Sequence, residues 1–154
     1  MADGTSRLIE HVQVGDFVLG SNGRINQVEN IMHPILGHRP LYALNGSSHF
    51  VTAGHPFMAE AGWKSIDPAA TAAENAALHV DRLTVGDRLL TLAAVAIPVG
   101  SRGSINTEAL DMRLDAIPLH SLVGQPADPA TQLYNLRLDG DHTYFANDLL
   151  VHNK

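Results

Sequence analysis

A chain of 154 residues, 45% of them hydrophobic and none of them cysteine, can bury one core without disulfides, and it excludes thiolate zinc sites and cysteine nucleophiles. Its net charge of −6 leaves no basic stripe to neutralise phosphates, which argues against a nucleic-acid partner. No apolar run approaches the roughly 18–20 residues that cross a bilayer, and the opening MADGTSRLIEHVQ lacks the basic and apolar regions of a signal peptide, so no membrane partner is expected and the cytoplasm is the default compartment.

Strand signals dominate in chain order. VQVGDFVLG (12–20) alternates and breaks at Gly15-Asp16, and RINQVENIM (24–32) follows, ended by loop markers at Pro34 and Gly37. LYALNGSSHFVTAGHPFM (41–58) places two β-type runs around Asn45-Gly46, a hairpin signal because both turn residues tolerate positive φ. DPAATAAENAALH (67–79) is the exception: Asp67 can cap, Pro68 suits a first helical position, and a short helix is expected. RLTVGDRLLTL (82–92) and the run at 94–99 read as strands, and Gly100, Gly103 and Ser104 as a loop. A polar segment (104–116) leads to the strand-like IPLHSLV (117–123), and GQPADPA (124–130) reads as a turn or loop. QLYNLRLDGDHTYFANDLLVHN (132–153) reads as a hairpin turning at Asp139-Gly140-Asp141. The sum is a mainly β chain.

VQVGDFVLG and LTVGDRLLT (83–91) share V-G-D-x-(V/L)-L about 70 residues apart, too far and too few for a solenoid. Two β-lobes related by a pseudo-twofold explain the pair; so does common turn chemistry between strands.

Nine histidines against ten Lys plus Arg direct attention to imidazole chemistry. Thr52-Ala53-Gly54-His55 puts a hydroxyl and an imidazole three residues apart where a strand becomes a loop; a strand threonine and a turn histidine would look the same. His142 follows Asp-Gly-Asp, residues that are more often turn formers than an acid–base pair. His152-Asn153 closes the apolar run Leu149-Leu150-Val151. An Asn side-chain amide can attack its own backbone carbonyl, forming a succinimide and releasing whatever follows. That step needs a base near the amide, a donor on the carbonyl oxygen and a proton for the leaving amine. An adjacent His suits the donor and a second His suits the base; a polar terminus is the plain alternative. Metal binding is weaker still. His33/His38 and His49/His55 are paired in sequence, but no H-E-x-x-H spacing and no Cys partner exist, so no metal or other cofactor is expected.

Taken together, IEHVQVGDFVLG (9–20), FVTAGHPFM (50–58), LTVGDRLL (83–90) and YNLRLDGDHTYFANDLLVHN (134–153) resemble the Hint domain shared by inteins, bacterial intein-like domains and Hedgehog autoprocessing domains. The resemblance implies a single mainly β domain over 1–154, a Hint-type horseshoe of two pseudo-twofold-related β-lobes with one short helical insertion. It implies single-turnover autoproteolysis: His55 destabilises the N-terminal scissile peptide with Thr52 orienting the site, His142 assists, His152 stabilises the carbonyl oxygen and Asn153 cyclises. Partners are then its own flanking segments, acting in a monomer. Sterol transfer of the Hedgehog type is not expected from a terminal His-Asn.

Three departures refine this. The family places Cys or Ser and a first strand before the "DGT…IE…VGD" region, whereas this sequence opens at Met1-Ala2-Asp3-Gly4-Thr5. A truncated or split domain is implied, whose N-terminal junction needs that strand, supplied in trans by a short fragment. Lys154 stands where splicing needs Cys, Ser or Thr, which favours cleavage after Asn153 over full splicing. Asn135 replaces a frequent family aspartate; it can hydrogen-bond but cannot act as a base, which puts coupling between the junctions in question. The alternative function is a Hint-fold structural or release module of a larger phage-tail, secreted or toxin-type protein, with weak or lost processing.

Overall fold

The fold is that of a computed structural model, which describes residues 1–96 and 111–153. The end of the strand expected at 94–99, the loop at Gly100–Ser104 and residues 104–110 of the polar segment lie outside the described residues, as does Lys154. The described chain is mainly β. β1 (Phe17–Leu19) and β2 (Ile25–Met32) form an antiparallel pair, and β3 (Leu41–Leu44) follows a loop. β4 (Phe57–Ala59) and β5 (Gly62–Ser65) form a tight hairpin leading into α1 (Pro68–Glu74). The short β6 (Asp81–Arg82) precedes the long pair β7 (Arg88–Ala96) and β8 (Asp111–Pro118), then β9 (Leu122–Gln125). β10 (Asn135–Leu138), β11 (Thr143–Ala146) and β12 (Leu149–His152) complete the fold.

These strands make three sheets. β1-β2-β10 is one, β11-β12-β7-β4-β5-β6 with β8 on β7 is the largest, and β3-β9 is a two-stranded ribbon. A common core joins them: Val28 and Leu136 from the first sheet pack with Phe57, Leu89 and Val151 from the large one. Phe57 and Val151 are fully buried and register-paired. Among the described residues no helix is long and apolar enough to cross a membrane.

The two Val-Gly-Asp turns have the same hydrogen-bond pattern. Asp16 accepts from the Gln13 N–H at 2.8 Å and Asp87 from the Thr84 N–H at 2.9 Å. Gly15 donates to Val28 and Val28 returns a bond to Asp16; Gly86 donates to Leu119 and Leu119 returns one to Asp87, all at 2.8 Å. Both glycines have positive φ, 93° and 103°, which side chains resist. Each turn launches a strand that pairs antiparallel with the next, β1 with β2 and β7 with β8. One design is thus used twice, once per lobe. The partner cations differ: Arg7 meets Asp16 at 2.6 Å, and the more enclosed Lys64 meets Asp87 at 2.8 Å.

Two local expectations need correction. The last segment is not a hairpin turning at Asp139-Gly140-Asp141. β10 pairs with β2, whereas β11 pairs with β12 through a turn at Asn147-Asp148, both at positive φ (48° and 62°). That pair of φ values matches the right-handed twist of hairpin strands, and the Asp-Gly-Asp stretch instead carries the chain from one sheet to the next. Second, β9 runs on through Gly124-Gln125, read from sequence as turn. The Tyr42 ring packs over Gly124, where a Cβ would lie 2.8 Å from a ring carbon. Residues 111–116 of the polar segment, left unassigned from sequence, are strand: β8 alternates exposed and half-buried residues along β7. The Asn45-Gly46 turn forms with φ of 52° and 75°, but its return arm makes just one bridge, Tyr42 to Val51, and β3 takes β9 as its ladder partner. The helix stops at Glu74, short of residue 79.

Candidate active site

Two groups of the expected site residues emerge. The first surrounds the end of β12. His142 sits at the close of the β10–β11 corner with φ of 61°. Among the described residues, the other non-glycine positive-φ positions are all Asn or Asp, so this histidine is held in an uncommon conformation. Its Nδ1 lies 2.8 Å from the Leu138 carbonyl oxygen. A carbonyl can only accept, so Nδ1 carries the proton and a neutral His142 has its lone pair on Nε2. The His142 carbonyl accepts the Asn153 N–H at 2.8 Å.

His152 approaches from the other side. Its N–H donates to the Pro56 carbonyl at 3.2 Å, tying β12 to the His-Pro-Phe stretch. Its Nδ1 lies 2.6 Å from the Asn153 carbonyl oxygen and by the same logic donates to it. The His142 and His152 rings have centroids 6.0 Å apart, and the Trp63 ring meets His152 edge-on at 5.3 Å. Asn153 is 5% exposed. Burial lowers the His152 pKa below its usual 6.5, opposed by the bond to Asn153, with His142 adding to the fall and Asp141 opposing it. A neutral His152 therefore keeps the donor aimed at the Asn153 carbonyl.

The second group lines a groove of about 1210 Å³, whose walls include Thr52, His55 and Asn135 with His49 and Tyr144. The helix braces the Thr52–His55 segment. Asp67 caps α1 by accepting from Ala69 and Ala70 N–H groups, its own N–H donates to Ala53, and the Thr71 hydroxyl reaches the Gly54 carbonyl at 2.8 Å. The His55 ring stands edge-on to Phe57 and Tyr144, at 5.6 Å and 6.5 Å. Both ring-bearing residues border β12: Phe57 registers with Val151, and Tyr144 with the same residue from β11. Burial pushes the Tyr144 phenol up, away from ionisation. Among the described residues, the two buried side-chain polar atoms without a partner are His49 Nε2 and Asn135 Oδ1, and both residues line this groove.

So Thr52, His55 and Asn135 line one groove, and His142, His152 and Asn153 meet at the end of β12, with Phe57 and Tyr144 against the His55 ring and in register with β12. Trp63 and His49 were not singled out for catalysis in the sequence. The one available signal for Trp63 was that it is the sole tryptophan. No group of three or more His, Asp or Glu side chains able to hold a metal occurs among the described residues.

No protein-family model matches the chain, and no curated protein matches it. Solved structures do. The Ssp DnaB mini-intein variant M86 superposes with a TM-score of 0.52 at 14% identity, covering 89% of this chain and 74% of that one. The MchDnaB-1 intein gives 0.51 at 17% identity, covering 96% and 89%. The duplicated Val-Gly-Asp turns and the T-x-x-H segment lie in the stretches that carry the sequence resemblance, and this chain has the Hint fold found in inteins.

Proposed function

We propose that the chain is an intein-like autoprocessing domain that cleaves its own backbone after Asn153. In this reading Asn153 Nδ2 attacks the Asn153 carbonyl carbon, and a carbon–nitrogen bond forms as the peptide bond to residue 154 breaks. The products are a C-terminal succinimide and a free amine on residue 154. The observation that carries it is the 2.6 Å contact between His152 Nδ1 and the Asn153 carbonyl oxygen, a donor aimed where negative charge develops. His142, with Nε2 bare, is the candidate to accept the amide proton and pass one to the leaving amine. Lys154 carries no hydroxyl or thiol, so release rather than full splicing is the expected outcome.

The same reading gives the groove a role. At about 1210 Å³ it exceeds the ~300–1,000 Å³ of ordinary small-molecule sites, and two buried polar atoms on the residues lining it, His49 Nε2 and Asn135 Oδ1, are free to hydrogen-bond. An extended N-terminal peptide, supplied as a short fragment in trans, fits that chemistry and would bring an upstream junction to Thr52 and His55.

A reporter fused after residue 153 tests the first claim. Wild type releases the reporter and leaves a fragment one water lighter than simple hydrolysis would. Asn153→Ala abolishes release. Equal release from both would sink the cyclisation claim and leave a structural Hint-fold module as the better description.

A further inference from the structure

One half-buried carboxylate fastens the β10–β11 corner to the first lobe. Asp141 accepts from the Ser21 hydroxyl and from Asn26 Nδ2, both at 2.6 Å, and from the Thr143 hydroxyl and N–H at 2.8 and 3.2 Å. The Thr143 hydroxyl accepts in turn from the Ser21 N–H at 2.7 Å, and Asn26 Nδ2 also reaches the Thr143 carbonyl at 2.8 Å. Asn26 and Thr143 are 1% and 3% exposed. A Cβ on Gly20 would lie 2.8 Å from the Thr143 hydroxyl, so the backbone of the first lobe closes directly over the cluster. Asp139 adds a second tie, accepting from the Gln27 N–H at 2.7 Å. Burial alone would raise the Asp141 pKa, but the bonds from Ser21, Asn26 and Thr143 outweigh it and hold the carboxyl below its usual range.

An aspartate that merely shapes a turn bonds its own backbone two residues on. Asp141 does so through Thr143 N–H, then collects two further donors from more than a hundred residues away. The next residue is His142, whose positive φ aims Nδ1 at Leu138 and whose carbonyl holds Asn153.

We propose that Asp141 is a positioning residue: by clamping the corner to Ser21 and Asn26 it holds His142 in the conformation that fixes both its tautomer and the Asn153 backbone. The effect on rate rests on the cleavage reading above; the effect on His142 does not. A displacement of about 1 Å at a reacting group can cost on the order of 100-fold.

The test uses the reporter fusion and, beside it, an Asn153→Ala background in which nothing is cleaved. Asp141→Ala should slow release by about 100-fold. Asp141→Asn should recover most of the rate, because Oδ1 keeps three donors and the new amide can donate to the Ser21 hydroxyl. In the uncleaved background, imidazole ¹⁵N shifts, taken where imidazoles are neutral and circular dichroism shows a folded chain, should report the Nδ1–H tautomer of His142. Asp141→Asn should keep it and Asp141→Ala should give a mixture. A folded Asp141→Ala protein with an unchanged tautomer overturns the proposal, whatever its rate. If that variant does not fold, Ser21→Ala removes one bond and should shift tautomer and rate the same way by less; no shift in the tautomer overturns the proposal equally. If Asn153→Ala releases reporter as wild type does, the cleavage reading fails, and the tautomer still decides Asp141.

Discussion

The end of β12 and the groove beside it are neighbours with opposite character. Around Asn153 the backbone N–H and carbonyl oxygen each have a partner, His142 and His152. In the groove two buried polar atoms, Asn135 Oδ1 and His49 Nε2, have none. A buried polar group left unpaired costs about 1–3 kcal/mol, so the end of β12 is the better satisfied of the two places. In the proposed reading the difference teaches that the two junction chemistries can separate: the donors for the C-terminal step gather at the end of β12, while Thr52 and His55 line the groove.

The sharpest break of that comparison is a pair of variants. His152→Ala should slow reporter release by about 100- to 1,000-fold, the range for losing an oxyanion donor, while His55→Ala should leave release close to wild type. Equal losses would show that the two places act as one. Next in size, Gly140→Ala should destabilise the fold by about 1–3 kcal/mol, read by urea denaturation. Its φ of 65° suits glycine, and a Cβ there would collide with the Asn26 amide oxygen. An unchanged midpoint would mean that the corner tolerates movement and is not what organises β12. On the groove side the sign reverses. Asn135→Leu removes an unpaired buried oxygen and should stabilise the chain by about 1 kcal/mol, a rise of about 2–4 °C in Tm, while weakening capture of an N-terminal peptide. A fall in Tm would show that the oxygen is not orphaned.

The smallest effect is with pH. The folded chain holds His152 below 6.5, so between that value and the lowered one the unfolded chain binds more protons. Stability from this source is complete above 6.5 and declines as pH falls through the window. Asp141 and Asp87, both held below 3.8, contribute stability that is present above that value and lost as pH falls below it. His152→Gln should therefore flatten the acid side of a Tm–pH curve; an unaltered slope would show that this half-buried imidazole does not set it.

What could be read from sequence was local. Thr52-x-x-His55, the His152-Asn153 pair, the repeated Val-Gly-Asp and the Asp67-Pro68 helix start each act within a few residues, and spacing displays them. The errors came where distant partners decide. Asp139-Gly140-Asp141 has better hairpin chemistry on paper than Asn147-Asp148, which lacks glycine. Bonds to Gln27, Asn26 and Ser21 convert the former into a crossing between sheets. Gly124 looked like a turn because the ring that covers it, Tyr42, lies far upstream. Asp141 belongs to the same class: its partners are invisible to any window that contains it.

The pairing of β10 with β2, Asn135 opposite Met32, joins strands separated by most of the sequence. Such contacts form late, since closing a long loop must precede any gain from it. His142 and Asn153 lie beyond that pairing and the corner that follows it, so late closure would place them late. A domain reacting through Asn153 would then be self-timed: a half-made or half-folded chain keeps its junction intact, and completion of the fold is the event that starts the clock.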